Sequence, residues 1–427
     1  MYIPMWVLAA KSGETNCLGL GNPFICNNRW FYTGGAREEL VLEPPARTVG
    51  MGKRGNANPK IAMMVKLITE YGPEINRIAR ELRIHKETAR YWYKEKLLKK
   101  GYTVQAVPNH EKLGLRRVIA LAQFSDEFRS YADAILMAMS ELCYLTSFAK
   151  TLPDDFYSIH ANVPQEYVGD WIRFMQELRR RGLFASIQVV PFEWAGVVPM
   201  KSEIYDFEND SWQYDWASKP RLEPGSLAFT PSARSKFDPI DLGVIKVLQL
   251  DPDASLIEVG DRLRVNYKTL TWHYRSHLVG NGLVKGYLVN WAGTRYDPKL
   301  EKAMHRRHRY MWLELLLTGL TETERMEIMA KVNQLPFVWF EAGGGQNYFA
   351  QIAFPTETIT EALSFVKDVT SAVRQKATWH FMDQANALRF TIVPSLYDAE
   401  IKKWKFDQGE LLRRFDKLVL EIKGITS

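Results

Sequence analysis

LRIHKETARYWYKEKLLKKG, residues 82–101, is matched 181 positions further on by LRVNYKTLTWHYRSHLVGNG, residues 263–282. Without insertion or deletion, Leu82/Leu263, Arg83/Arg264, Thr88/Thr269, Tyr93/Tyr274, Leu97/Leu278 and Gly101/Gly282 are identical. An apolar residue also recurs at Ile84/Val265 and a basic one at Lys94/Arg275. A repeat at this spacing means two copies of a unit much larger than a solenoid repeat. We read the chain as a tandem duplication.

Each copy has the pattern of a helix-turn-helix. Ile75, Ile78, Ala79 and Leu82 stand at i, i+3, i+4 and i+7, the spacing of one buried stripe on a short helix. Leu256, Val259, Gly260 and Leu263 match them. After a short break a second helix begins near Lys86 or Tyr267. Its inward face is Ala89, Tyr93 and Leu97 in one copy and Leu270, Tyr274 and Leu278 in the other. Gly101 and Gly282 close it, since glycine accepts the left-handed conformation at a helix end. Residues 102–107 and 283–291, rich in β-formers, are expected to form wing hairpins.

With that face buried, Lys86, Glu87, Arg90, Tyr91 and Lys94 point outward, as do Tyr267, Lys268, Thr271, Trp272 and Arg275. Donors, aromatics and cations on one helix face suit the major groove of DNA, roughly 12 Å wide. The bland alternative is a solvated helix with some lysines. Including the matched Arg83, Thr88, Arg264 and Thr269, these side chains form the expected DNA-binding set.

Charge follows the same division. Residues 51–117 hold 16 Lys and Arg against 6 Asp and Glu, and residues 238–309 hold 12 against 8. Residues 118–192 and 310–394 each hold 6 against 9. The positive charge therefore concentrates on the two helix-turn-helix units, where phosphates would be met. At 427 residues and 46% hydrophobic, the chain is long enough for about three packed domains. No run of 18 or more apolar residues appears, so no membrane span is expected. The three cysteines, Cys17, Cys26 and Cys143, imply no disulfide framework, and a cytoplasmic location is the simplest reading.

Residues 1–50 lack sustained periodicity, and the basic GKRGNANPK after Met51 reads as the start of a DNA-binding arm. They are expected to be an extension, disordered or the product of an over-extended start. The first domain is then 51–115. Its first helix runs over about 60–71, with Ile61, Met64, Val65 and Ile68 inward, and Gly72-Pro73 stops it. From 116 to 195 the order is strand (117–124), helix (126–142), strands (143–149 and 156–163), a helix opened by Pro164, and a strand (185–190). That βαββαβ order is the ferredoxin-like plait, with both helices on one face of the sheet and the other face free for a partner.

After an aromatic-rich linker at 196–237, the order repeats in 238–296 and 297–395. Strand 310–317, helix 321–332, strands 337–342 and 348–354 and a helix opened by Pro355 are expected, and Val393-Pro394 ends the last strand. Of the linker, residues 221–236 are expected to be the most mobile. Residues 396–427 form a helical tail, with Leu411, Leu412, Phe415, Leu418, Val419 and Ile422 at the spacing of a core-packing or dimer helix.

A helix-turn-helix followed by βαββαβ resembles the Lrp/AsnC family, the leucine-responsive or feast/famine regulators. IARELRIHKETARYWYKEKLLKKGY with residues 118–192, and VGDRLRVNYKTLTWHYRSHLVGNGLV with residues 310–394, carry the resemblance. It implies an α+β chain of two winged helix-turn-helix domains, each followed by a ferredoxin-like (RAM/ACT-like) domain. It implies a sequence-specific transcription regulator that binds double-stranded DNA, pairs through its ferredoxin-like domains as a homodimer or higher oligomer, and takes an amino acid as effector. This chain departs from the family by carrying both copies in one polypeptide. It has LPDDFY at 152–157 and AGGGQNYF at 342–349 where the family has a glycine-acidic hairpin.

The two copies can then pair within one chain, favoured by the effective concentration that a linker imposes. Because Arg90 faces Thr271 and Tyr91 faces Trp272 in the alignment, the two half-sites should differ and the operator should be asymmetric. The alternative is an architectural protein that binds DNA with little sequence preference.

Other chemistry is weaker. His273 and His277 lie i, i+4 and His305 and His308 lie i, i+3, but with no cysteines or acidic cluster apparent nearby, no metal is expected. Arg179-Arg180-Arg181 and HRRHR at 305–309 read as solvated ends or phosphate contacts, and Gly343-Gly344-Gly345 as a flexible hairpin or an effector-site loop. No nucleophile–base arrangement is legible. No cofactor and no enzymatic activity are expected.

Overall fold

A computed structural model describes residues 59–217, 234–292, 308–383, 387–422 and 424. The expectations for residues 1–50, for most of 221–236 and for His305 lie outside them. The chain divides into a unit of residues 57–412 and a second made of 1–56 and 413–427. Of the second, the described part is the end of helix α11 (Gln408–Ile422).

In the larger unit, α1 (Pro59–Tyr71) buries Ile61, Met64, Val65 and Ile68. Helix α2 (Ile75–Glu81) buries Ile78 and Ala79 and turns at Arg83, whose φ is +51°. His85 caps α3 (Lys86–Tyr91) by accepting from the Glu87 amide at 3.3 Å. The helix continues as a wide π turn over Trp92–Leu97. At the matched positions, α6 (Pro239–Leu250) is followed by α7 (Leu256–Leu263), a turn at Arg264 with φ +55°, and α8 (Tyr267–His273) capped by Asn266. A second π turn spans Tyr274–Gly280. A non-glycine residue with positive φ is uncommon. Its occurrence at both arginines shows that the same turn is made twice.

The wing hairpins are not formed. Each segment supplies one strand, β1 (Thr103–Pro108) and β9 (Val284–Asn290), and the two pair antiparallel with each other, from Thr103↔Asn290 to Val107↔Gly286. Residues 283–291 are too short to hold two strands and a turn, so each half completes the other's ladder. Gly286, at φ +153°, permits this approach: a Cβ there would lie 2.6 Å from the carbonyl oxygen of Thr69.

The strands β2 (Leu115–Phe124), β3 (Leu145–Leu152), β4 (Tyr157–Pro164) and β5 (Phe184–Pro191) enclose α4 (Ala132–Leu142) and α5 (Val168–Arg180) in sequence. They lie in the order β5-β2-β4-β3, the ferredoxin-like arrangement. Residues 194–212 then add a strand β6 (Trp194–Val197) and a small hairpin of β7 (Tyr205–Asp206) and β8 (Ser211–Trp212). In the second half β10 (Tyr310–Leu317), α9 (Glu322–Val332), β11 (Val338–Gly344), β12 (Asn347–Pro355), α10 (Ile359–Thr370) and β13 (Ala377–Met382) follow. Their sheet order is β13-β10-β12-β11. The last strand therefore ends at Met382, not at Val393-Pro394. Among the described residues beyond it are β14 (Leu388–Arg389), a 3₁₀ turn at Pro394–Leu396, the hairpin of β15 (Tyr397–Asp398) with β16 (Lys403–Trp404), and α11.

The two four-stranded arrays join into one ten-stranded sheet through β3 and β13, at Leu152↔Phe381 and Thr151↔Met382. The face expected to be free is covered by the other half of the same chain. Every residue of β4 and β11 is buried, as are all but the first of β12, as happens only when both faces are packed. At the far edge β6 pairs with β11, so the glycine hairpin at 343–345 is not an open loop. A Cβ on Gly343 would lie 2.5 Å from the Trp194 ring, which is why that strand edge needs glycine. The aromatic stretch after β6 is likewise packed: Trp212 and Tyr214 set their rings edge-on to Phe337, and Trp216 stacks on it.

Candidate active site between the two sheets

Alternation along a strand sends every second residue to one face. On β4 that places Ser158, His160 and Asn162 together on the face opposite the α4 and α5 layer, and Arg117 of β2 sits directly across from Asn162. In the other half Glu314 of β10 is flanked in register by Gln351 of β12 and His380 of β13. The two faces meet. Glu314 Oε1 lies 3.1 Å from His160 Nε2, and its Oε2 lies 3.0 Å from His380 Nε2. Gln351 Nε2 donates to Glu314 Oε1 at 2.6 Å, and Ser158 Oγ is 3.1 Å from His160 Nε2. The His160 ring packs against Phe349 and Phe340, with centroids 5.4 and 6.3 Å away.

Glu314 is completely buried and His160 and His380 nearly so. Burial opposes ionisation of Glu314, but the hydrogen bonds from His160 and His380 outweigh it and hold the carboxyl below the usual range. For His160 burial is the larger effect: it pushes the imidazole below its ordinary value in spite of Glu314, and Arg117 and Arg389 add to the depression. At neutral pH this is a neutral imidazole hydrogen-bonded to an ionised carboxylate, not a formal ion pair.

Two cations stand over this site. Arg117 Nη1 donates to Thr146 Oγ1 at 2.7 Å, and its guanidinium lies 4.9 Å from the centre of the Phe340 ring. Arg389 lies over the rings of Trp339 and Trp312, at 5.3 and 5.6 Å. Burial, and secondly repulsion from Arg389, lowers Arg117 to about 9. Arg117 Nε, Asn162 Nδ2 and Trp312 Nε1 are buried donors without a hydrogen-bond partner. Paired positive charge, unmet donors and aromatic walls suit an anionic, planar or carboxylated ligand. Sequence reasoning missed this site. Its one signal is Glu314, a lone charge within the apolar run YMWLELLL.

The sequence-predicted helix faces lie elsewhere. Arg83, Lys86, Glu87, Tyr91 and Lys94 are exposed, with Thr88 and Arg90 half-buried. Arg264, Tyr267, Lys268, Trp272 and Arg275 are exposed, with Thr269 and Thr271 half-buried. Tyr91, Tyr267 and Trp272 show 53%, 57% and 55% of their surface, large exposures for aromatic side chains. Arg90 is tied to Glu87 by two hydrogen bonds of 2.7 and 2.8 Å. Thr271 Oγ1 is buried and unpartnered rather than outward. His273 and His277 do have an acidic cluster beside them, made of Asp238 and Asp241 from α6, a helix 32 residues earlier in the chain. Of the arginine run, Arg180 and Arg181 pair with Glu177 on α5.

No family model and no curated protein matches the chain. Among solved structures it is similar to the siroheme decarboxylase NirDL, with 11% identity, a TM-score of 0.46, and coverage of 85% of this chain and 99% of that one. The same enzyme in co-complex with an iron-uroporphyrin III analogue gives 12% identity, a TM-score of 0.45, and coverage of 84% and 98%. This chain is similar to an enzyme. The expectation of no enzymatic activity is corrected by these matches, which extend over nearly the whole of the decarboxylase chains. LrpC of B. subtilis is also similar, at 20% identity and a TM-score of 0.25, with coverage of 35% of this chain and 96% of that one.

Proposed function

We propose that the chain is an enzyme whose active site lies where the inner faces of its two halves meet, acting on a carboxylated substrate. One observation carries this reading: an ionised, solvent-free Glu314 clasped by His160 and His380 beside the Arg117 and Arg389 charges. Arg117 and Arg389 hold the carboxylate, and the aromatic rings of Phe340, Trp312 and Trp339 wall off water. When His160 or His380 takes up a proton, Glu314 stabilises the imidazolium. A decarboxylation uses all of these parts. The bond to the carboxylate breaks, CO2 leaves, and the electron pair left on carbon takes a proton, which a histidine held by Glu314 supplies.

The test is anaerobic incubation of the full chain with carboxylated tetrapyrroles, beginning with siroheme, the compound named for the similar enzyme. Product mass reports each lost carboxyl group. Turnover abolished in Glu314→Gln supports the reading. Neither turnover nor binding that depends on Arg117 overturns it.

A second reading is favoured by the exposed cationic and aromatic faces of α3 and α8. On it the two helical units bind double-stranded DNA as a Lrp/AsnC-type regulator would, each meeting one half of an asymmetric site. The matched turns at Arg83 and Arg264 and the two π turns support treating the halves as copies of one unit. A genome-fragment binding selection at two salt concentrations tests it. Recovery of an unequal bipartite motif supports a regulator, and uniform recovery lost at high salt supports architectural binding instead.

A further inference from the structure

The capping box of α6 and the end of α8 converge on one point. Asp238 caps α6 through Oδ1, which accepts from the amides of Ile240 and Asp241 at 2.9 and 3.2 Å. Its Oδ2 is turned to His273 Nδ1, 3.7 Å away. Asp241, one turn on and fully buried, places Oδ1 2.9 Å from His273 Nδ1 and Oδ2 2.8 Å from His277 Nδ1. The four ligand atoms all lie within 4.8 Å of one another. Donors held tetrahedrally at about 2.0–2.2 Å from an ion are themselves roughly 3.3–3.6 Å apart, so small side-chain rotations bring this set to that geometry.

We propose that Asp238, Asp241, His273 and His277 form a binding site for a divalent transition-metal ion of the zinc type. The donor set is two imidazole nitrogens and two carboxylates, which suits zinc better than magnesium or calcium. Spacing i, i+3 on one helix and i, i+4 on the other puts each pair on a single face. Asp238 and His277 keep 42% and 18% of their side chains exposed, which leaves an entry path, while Asp241 and His273 form the floor. Trp272 packs on both imidazoles, with centroids 4.9 and 4.6 Å away, and shields one side. An ion here would tie α6 to α8 and its π turn. The site is separate from the Glu314 cluster and does not depend on its function.

The experiment uses the untagged full chain, zinc for calorimetric titration and cobalt for its visible spectrum. The expected result is one saturable zinc site and a tetrahedral cobalt spectrum. His277→Gln should weaken binding by more than the roughly 10–100-fold that loss of an outer-shell partner costs. Asp238→Asn, which keeps a good helix cap but removes an anionic ligand, should also weaken it, and covers the case in which the histidine variant does not fold. No saturable zinc binding to the unmodified chain, or binding of unchanged strength in either folded variant, overturns the proposal.

Discussion

His160 Nε2 and Glu314 Oε1, 154 residues apart in sequence, meet at 3.1 Å where the inner faces of the two sheets touch. The contact links the polar clusters of the two halves, Ser158 with His160 on one side and Gln351 and His380 with Glu314 on the other. Glu314→Ala, which strands His160, His380 and Gln351, should cost about 3 kcal/mol or more of unfolding free energy. Urea unfolding measures this, and a loss under about 1 kcal/mol would show that the cluster does not hold the halves together.

Acid should weaken the fold in two stages. His160 is held below its ordinary 6.5, so below that pH the unfolded chain takes up a proton that the native chain refuses. Glu314 is held below its ordinary 4.5, so its contribution is complete above that value and is lost as pH falls toward its depressed folded value. Stability against urea should therefore decline from near neutrality downward and more steeply below the carboxylate range. His160→Gln should remove the first stage and leave acid loss through Glu314. An unchanged profile in that variant would count against a neutral buried His160.

Arg117→Met should separate ligand binding from stability. The guanidinium is buried, repelled by Arg389 and leaves Nε unbonded, so an apolar replacement should change stability by no more than about 1 kcal/mol or raise it. Binding of a carboxylated tetrapyrrole should fall by at least about tenfold, the equivalent of one charge-assisted hydrogen bond. Retained affinity in this variant would place the anion elsewhere.

On the helical units, Lys94 is exposed, whereas Arg90 is already engaged by Glu87. On the DNA-binding reading, Lys94→Ala should flatten the dependence of DNA affinity on salt by about 0.9 in log–log slope, the share of one phosphate contact. Arg90→Ala should change it less. Equal effects would mean that Arg90 leaves Glu87 on binding.

Gly343→Ala should loosen β6 from the sheet edge. The added methyl would stand 2.5 Å from Trp194, and overpacking of this kind costs about 1–3 kcal/mol. Faster amide exchange confined to residues 194–197 and their partners on β11 is the expected signature. Exchange spread over the whole second sheet would show that β6 is integral to it.

The local patterns were legible because they depend on near neighbours in the chain. Apolar spacing at Ile61, Met64, Val65 and Ile68 gave a helix, and the same signal at Ala89, Tyr93 and Leu97 gave the next one. The βαββαβ order was readable in both halves, since Pro164 and Pro355 and the apolar runs between them punctuate the chain. The final strand was misplaced because the apolar stretch at 387–393 also reads as a strand, and it is pairing with β10 that sets residues 377–381 apart.

What the sequence by itself determined is therefore most of the element order, the two helical units and most of the side chains exposed on them, Thr271 excepted. Periodicity and helix caps act over three or four residues and need no knowledge of the rest of the molecule. Tertiary structure alone decided which surfaces meet: β1 with β9 rather than two separate wings, His160 and His380 on Glu314, and Asp238 and Asp241 on His273 and His277. Each of these joins residues tens to hundreds of positions apart. Hydrogen bonds and buried charges are set by distance in space, which strand register and sheet closure determine and which residue spacing along the chain does not record.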